Sequence, residues 1–388
     1  MKAVAIIDGE HYPDVVREAL AELPYDFIGV MLVGGSEKLR GAPDYGVPLV
    51  MEPGSAEIAV DLSDEPVLDP RTRLHLASRF LADGIPYIGA DFRFDPPTFH
   101  PFDVPSLAVI GTGKRVGKTA VTGAVARALS RDRRIVVVAM GRGGPAAPEL
   151  IESPPSLDDL VALSRSGRHA ASDHLETAVL AGVPTIGCRR AGGGMAGAPF
   201  TSNVLEGAAL AASLDPDVVV FDGSGAAIPP IDVDARILVA HDVVSGLNPY
   251  RVLISDVVLT MSEEVAHDVR ALGKPAMRFG LRLRPVEPLT GKRIAVFATG
   301  NVSVEHLDDV VSVSRNLSDR IALADDLRSA DADAFVVEIK AAAIDMVAEA
   351  AIERGIPLVF ADNEVVSFPG EPSLDELFRG LAPSEVRA

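Results

Sequence analysis

Leu107-Ala108-Val109-Ile110-Gly111-Thr112-Gly113-Lys114-Arg115-Val116-Gly117-Lys118-Thr119 decides how the rest of the chain is read. Four apolar residues predict a strand, a glycine-rich turn follows, and Ala120–Leu129 is patterned as a buried helix. That context defines a phosphate-binding loop. Glycines let successive N–H groups turn inward around phosphate oxygens, and the helix N-terminus adds about half a positive charge. Lys118 would then reach the β- and γ-phosphates of ATP, and Thr119 would bind Mg²⁺. Gly111, Thr112, Gly113, Lys114, Arg115, Val116, Gly117, Lys118 and Thr119 are therefore expected to bind ATP, with Lys118 also catalytic and Thr119 a metal ligand.

The loop departs from the strict pattern, which places glycine where this chain has Thr112. This longer form resembles the dethiobiotin-synthetase branch of P-loop proteins, which reads Gly-Thr-x-x-x-Val-Gly-Lys-Thr. Partition and assembly ATPases carry a signature lysine where this chain has Gly113, and Lys114 is one residue off.

Outward from the loop, short β-rich runs alternate with amphipathic helices, the α/β pattern. Strands are expected at 3–7, 27–33, 107–110, 135–139, 218–221, 236–239, 257–260, 293–298, 310–314, 335–339 and 358–361. Helices are expected from Pro13 and around 71–82. Glycine, one residue, then proline recurs at Gly84, Gly182, Gly273 and Gly355, and reads as helices ending and strands beginning. Proline-rich connectors near 95–105 and 285–292 divide the chain into an N-terminal α/β domain (1–103), a P-loop ATP-binding core with a central parallel sheet (104–285) and a small C-terminal α/β region (286–388).

The chain has 388 residues, and its 55 acids against 36 bases give a net charge of −19. Such acidity argues against nucleic acid and anionic membrane as partners. No apolar run approaches the ~18–20 residues of a transmembrane helix. Asp8 and Glu10 come too early for a signal peptide. The single cysteine, Cys188, excludes a disulfide framework and Cys-based zinc sites, and reads as a small buried thiol. A cytoplasmic location is expected. The charge is uneven, however. Residues 111–190 hold twelve bases and seven acids, so that window is +5 and the remainder −24. A basic island in an acidic chain suits a small polyanion.

Further site residues follow from strand ends, where ligands gather in parallel sheets. Asp222, after Val218–Phe221, is expected to hold Mg²⁺ directly or through water. Arg142, after strand 135–139, is a candidate for the γ-phosphate or an acidic substrate, or else an exposed turn. Arg189 and Arg190 run into Gly192, Gly193 and Gly194, and arginine grips phosphate bidentately while glycine admits a close ligand. In Ser166–Glu176, Asp173 and Glu176 suit a helix-capping box, and His169 and His174 lack a third ligand for zinc. Asp8-Gly9-Glu10-His11 is either a site or a helix-start loop with solvated acids. Asn248-Pro249-Tyr250-Arg251, after His241-Asp242, either meets the nucleotide base or shapes a loop.

Asp8-Gly9-Glu10-His11-Tyr12, the 111–119 loop, Gly141-Arg142-Gly143-Gly144-Pro145, His169-Ala170-Ala171-Ser172-Asp173 and Cys188-Arg189-Arg190-Ala191-Gly192-Gly193-Gly194-Met195-Ala196-Gly197 together resemble the cyclic 2,3-diphosphoglycerate synthetase family. The likeness spans most of residues 1–285. It implies an ATP-dependent ligase that closes an intramolecular phosphoanhydride in 2,3-diphosphoglycerate, releasing ADP and phosphate. By that resemblance Arg142, Arg168, His169, Arg189 and Arg190 become candidate substrate contacts, and the residue readings add His11, Asp173 and Gly192, Gly193 and Gly194 to them. Arg142, Arg189 and Arg190 become catalytic beside Lys118, and Asn248 joins the ATP site. A homodimer is also implied. Competing readings are a carboxyl-activating ligase of the dethiobiotin-synthetase type and a P-loop partition or assembly ATPase.

Overall fold

Lys2–Ile7 (β1) is apolar from Ala3 onward and buried on both faces, as a central parallel strand must be. Its alternate side chains serve two cores. Ala5 and Ile7 meet Val16 and Leu20 of Pro13–Glu22 (α1). Val4 and Ile6 join a core shared with Phe80 and Leu81 of the second helix. Asp26–Leu32 (β2), Ile58–Asp61 (β3), Pro70–Ala82 (α2), Tyr87–Ile88 (β4) and Arg93–Phe94 (β5) complete this part. The strand order is β2-β1-β3-β4-β5, parallel except for the last pair.

The structure, a computed structural model, describes residues 1–35, 37, 39, 41, 43–166, 173–299, 303–339 and 343–383, with residues 157, 164, 173 and 344 described for their backbone alone. The core contains Ser106–Gly111 (β6), Lys118–Leu129 (α3), Ile135–Gly141 (β7), Glu149–Ile151 (β8), Leu157–Arg165 (α4) and Asp173–Ala181 (α5). Thr185–Ala191 (β9), Thr201–Ser202 (β10), Val204–Ser213 (α6), Val218–Asp222 (β11) and Ala235–Ala240 (β12) follow. Asn248–Leu253 (α7), Val257–Thr260 (β13), Glu263–Ala271 (α8) and Ala276–Pro285 (β14) end it. Beyond lie Ile294–Phe297 (β15), Val310–Ser314 (β16), Arg320–Ser329 (α9), Ala334–Glu338 (β17), a π-helical turn at Ala343–Ala348, Glu349–Arg354 (α10), Leu358–Ser367 (β18) and Leu374–Leu381 (α11).

One sheet runs through all of this in the order β10-β9-β7-β11-β6-β12-β13-β14-β18-β17-β15-β16, with β8 pairing on β9. From β9 to β14 it is parallel. The expected mixed α/β fold with a large, mostly parallel central sheet is what forms. The C-terminal strands prolong this sheet, because β14 pairs antiparallel with β18 from Phe279↔Ser367 to Pro285↔Ala361. Their carboxyl ends therefore point to the opposite edge from those of the core strands.

The four Gly-x-Pro joints are αβ turns. Gly84, Gly182, Gly273 and Gly355 have φ of 76°, 70°, 79° and 65°, with open space where a Cβ would sit. Glycine is there for its left-handed backbone rather than for room. The prolines begin the pairing with no N–H of their own. The carbonyls of Pro86, Pro184, Pro275 and Pro357 accept from the N–H groups of Ala59, Val137, Val258 and Phe335 at 2.9–3.0 Å.

The C-terminal region also braces α3. Arg127 meets the buried Asp362 of β18 at 2.7 Å, and Arg131 meets Asp375 at 2.6 Å. Leu374 and Phe378 of α11 share a core with Val121 and Val125 of α3. On the other side, α2 packs on α7, and His75 Nε2 lies 2.8 Å from the Val244 carbonyl.

Candidate functional site: a phosphate loop at the carboxyl edge of the sheet

β6 delivers the loop from the middle of the sheet, flanked by β11 and β12. Val116, 2% exposed, anchors the turn. Gly117 caps α3 with φ 94°, and a Cβ there would come within 3.2 Å of Phe279 Cζ. Arg115 takes φ 61° without being glycine, a conformation that costs energy and persists where the surroundings impose it.

Thr112 belongs to the strand side of the loop. Its N–H donates to Val239 O at 3.2 Å, continuing the β6–β12 ladder. Its hydroxyl accepts from the His241 N–H at 3.3 Å and lies 3.2 Å from His241 Nδ1. The extra residue in the loop is thus taken up by β12, which leaves residues 113–119 to turn. A Cβ on Gly113 would sit 3.3 Å from His241 Cε1, so a longer side chain at this position would press on the imidazole.

Lys118 donates to Asp222 at the end of β11, and Thr122 Oγ1 donates to the same carboxylate oxygen at 2.8 Å. Asp222 is 1% exposed. A buried carboxylate beside a lysine and a helix N-terminus stores a charge pair that a phosphate can reorganise by claiming the lysine. Thr119 stands in the first turn of α3, half-buried. Among the described residues no group of three or more His, Cys, Asp or Glu gathers in metal-binding fashion. One carboxylate and one hydroxyl form the hard-oxygen set that suits a Mg²⁺ taking its other ligands from phosphates and water.

The neighbouring strand ends bring the arginines. Gly141↔Arg189 is the last register pair of β7 and β9, so Arg142 and Arg190 leave the same edge. Arg142 and Arg189 are exposed and form no ion pair among the described residues. Arg190 is a strut, with Nη1 donating to Gly192 O at 2.6 Å and Nη2 to Ser224 O at 2.9 Å. A Cβ on Gly225 would lie 3.7 Å from Arg190 Nη2 and 3.9 Å from Lys114 Cγ, which places Arg190 beside the loop. Gly192 has φ 70° and abuts Phe200. Gly193 faces Arg190 Nη1, and the N–H of Gly194 donates to Ala198 O at 2.8 Å within the hairpin.

The other expected residues have separate settings. His11 lies in the N-terminal part, its Nδ1 2.9 Å from Asp8 and its Nε2 3.4 Å from Asp64. Burial pushes the Asp8 carboxyl up, but the Asp64 N–H, His11 and the Glu10 N–H together outweigh it and hold Asp8 below the usual range. His11 helps line a cavity of about 860 Å³ with Val15, Leu23, Asp61, Arg73 and Phe92, which contains no residue of the phosphate loop. Asn248 holds its own loop, Nδ2 donating to Asp242 O at 3.0 Å and Oδ1 accepting from Arg251 at 3.3 Å. Arg168 and His169 lie outside the described residues, as does the side chain of Asp173, the first residue of α5. His174 is a core histidine, 6% exposed, with its ring packed on Gly187. Cys188 is buried, and that burial pushes its thiol up to about 12.

Sequence reasoning did not assign roles to Thr122 or Asn203, and His241 and Arg251 entered it only with Asn248, as a stretch that either meets the nucleotide base or shapes a loop. His241 directly follows an apolar strand, the same signal that found Asp222. Asn203 carried no signal. It fixes the end of β9 by accepting from the Arg189 N–H at 2.7 Å, and reaches Pro145 O and Ala146 O at 3.3 and 3.2 Å.

A parallel sheet, a glycine loop opening α3, and the lysine that begins that helix meeting an aspartate at the neighbouring strand end define a P-loop ATP-binding enzyme. Three domain profiles of cyclic 2,3-diphosphoglycerate synthetase match this chain: the N-terminal domain at 2–57 and 50–95, the P-loop domain at 106–274 and the C-terminal domain at 285–364. The chain belongs to that family. Curated relatives named cyclic 2,3-diphosphoglycerate synthetase include those of Rubrobacter xylanophilus, 46% identical, and Thermococcus kodakarensis, 42% identical, each with 95% of both chains covered. That of Methanothermus fervidus is 36% identical over 93% of this chain and 92% of its own. LpxK of Aquifex aeolicus, solved with ATP, aligns at 13% identity and a TM-score of 0.43, covering 74% of this chain and 91% of its own. Among the described residues no helix is long and apolar enough to cross a membrane.

Proposed function

We propose that this chain closes the ring of 2,3-diphosphoglycerate at the expense of ATP. The observation that carries this reading is the edge itself: Lys118 and Asp222 at the phosphate loop, with Arg142 and Arg189, exposed and without an ion pair among the described residues, on the neighbouring strand ends. Two doubly charged phosphates ~5 Å apart repel by ~3 kcal/mol in water and ~13 kcal/mol at an effective dielectric of 20. Ring closure needs that repulsion neutralised in place and both ends held near attack distance.

In the first step an oxygen of one substrate phosphate attacks the γ-phosphorus, the bond to the β-bridging oxygen breaks, and ADP leaves. In the second, an oxygen of the other substrate phosphate attacks the inner, carbon-linked phosphorus of the new pyrophosphoryl group. The outer phosphate leaves as inorganic phosphate and the P–O–P ring is closed. Lys118 supports charge on the transferring group, and Arg142 and Arg189 hold the substrate phosphates. Arg190 acts through the hairpin it fixes. Thr119 and Asp222 would hold Mg²⁺, which would supply charge neutralisation of the phosphates. Arg168, His169, Asp173 and His11 complete the substrate set, Asn248 shapes the nucleotide side, and the enzyme works in the cytoplasm as a homodimer with divisions near 103 and 285.

Purified enzyme with ATP, Mg²⁺ and 2,3-diphosphoglycerate should give a cyclic diphosphate by phosphorus NMR, with one ADP per ring. ATP turnover over an unchanged substrate spectrum would overturn the assignment. Turnover on a carboxylic acid instead would favour the dethiobiotin-synthetase type of ligase.

A further inference from the structure

Arg251 is a buried cation held by carbonyl and amide oxygens. It is 2% exposed, and among the described residues no carboxylate pairs with it. Nε and Nη2 both donate to Ala226 O, at 3.0 and 2.8 Å. Nη1 donates to Leu247 O at 3.2 Å and to Asn248 Oδ1 at 3.3 Å. Burial pulls the guanidinium down to about 10, against the opposing influence of Tyr250, so it stays charged at neutral pH.

A charge in such a place is expensive, and an apolar side chain of similar length would fill the space more cheaply if packing were all that mattered. What the guanidinium adds is its rigid fork of donors. Those donors join two loops. Ala226 lies in the Ser224–Ala227 turn, closed by reciprocal N–H to carbonyl bonds of 3.2 and 3.0 Å, two residues past Asp222. Leu247 and Asn248 end the loop that begins at His241 after β12. Since β11 and β12 flank β6, one side chain ties together both flanks of the phosphate loop. From the far side Arg190 takes the carbonyl of Ser224, and Ile228 N–H donates to Gly197 O at 2.8 Å, so the same turn also seats the glycine hairpin.

We propose that Arg251 is a positioning residue of the phosphate site, setting the Ser224–Ala227 turn against the His241–Asn248 loop and so fixing the spacing around the phosphate loop. The inference rests on the ATP-dependent ring closure proposed above. It assigns Arg251 no contact with substrate. Its loss misplaces Asp222 and the arginine hairpin relative to bound nucleotide, which lowers turnover more than nucleotide binding.

The test uses full-length Arg251→Lys, Arg251→Met and Arg251→Ala. Melting temperature, KM for ATP, ADP release and cyclic product are measured on the same samples. Misplacement predicts a KM for ATP within ~3-fold of wild type, a kcat at least ~10-fold lower, and more ADP released per ring closed. Methylguanidinium added to Arg251→Ala should restore part of the turnover, and should not rescue Lys118→Ala. A folded Arg251→Lys with kcat within ~2-fold of wild type would overturn the proposal. So would a loss of kcat with unchanged ADP per ring and no rescue, which is the mark of a purely structural residue. Should the wild type release ADP without forming a ring, the reaction proposed above fails, and rescue of ADP release alone still decides the role of Arg251.

Discussion

Two buried carboxylates stand at strand ends in the two halves of the long sheet, and they differ in the company they keep. Asp222, ending β11, is held by the ammonium of Lys118 and the hydroxyl of Thr122. Glu338, ending β17, is 3% exposed and accepts from Thr299 N–H at 2.6 Å, Thr299 Oγ1 at 2.7 Å and Asn363 Nδ2 at 2.7 Å. Every partner of Glu338 in that set is neutral and fixed by the backbone or a short side chain, so the carboxylate serves as a splint between β15, β17 and β18. Asp222 is paired with a long cation that a phosphate can draw away. A buried acid at a strand end is therefore no sufficient sign of a site. The adjoining glycine loop and the long cation make the difference.

Substitution should separate the two most sharply. Lys118→Ala and Asp222→Asn should each lower ring-closing turnover by ~10³, whereas Glu338→Gln should leave kcat within ~2-fold. Glu338→Gln should instead lower unfolding free energy by ~2 kcal/mol in urea titrations, because an amide cannot accept on both sides. A dead Glu338→Gln enzyme with normal melting would break the contrast.

Asp362 links the two halves. Asp362→Ala leaves Arg127 of α3, whose charge burial already disfavours, without its carboxylate, and should cost ~3 kcal/mol in chemical denaturation. Arg142→Ala and Arg189→Ala should raise KM for the phosphorylated acid ~10–100-fold with melting temperature unchanged, since neither exposed side chain supports the fold. Gly84→Ala should cost ~1 kcal/mol in urea unfolding from its left-handed backbone alone.

The last prediction concerns pH and a third carboxylate. Asp8 has a folded-state pKa below its unfolded one, so its contribution to stability is complete above about pH 4 and is lost as pH falls through the folded value. Acid titration of unfolding should therefore be shallower for Asp8→Asn than for wild type below about pH 4.

Much of this was legible in the chain. The β6-loop-α3 unit, the strand at Val218–Phe221 with Asp222 after it, and the four Gly-x-Pro joints depend on neighbours in sequence, and local pattern carries them. The arginines were legible as chemistry but not as roles. Arg190 looks like Arg189 in the sequence, yet Arg190 is a strut between its own hairpin and the Ser224 carbonyl, while Arg189 forms no ion pair among the described residues. Asn203 was illegible as a site-shaping residue, and Arg251 was legible only within a base-binding or loop-shaping stretch, since the carbonyls of Ala146 and Ala226 that they reach lie far off in sequence. The C-terminal region offered no motif. What it contributes is the antiparallel β14–β18 pairing and the Arg127–Asp362 contact, both long-range.

The sequence by itself determined the phosphate loop, the alternation of strands and helices, and the basic island of +5 within a chain of −19. These follow from side-chain period, backbone freedom at glycine and proline, and charge counted along the chain. Tertiary structure alone decided which cations of that island stay free for a ligand and which are spent on carbonyls. A guanidinium binds whatever oxygen the fold brings within ~3 Å, and that distance is not written along the chain.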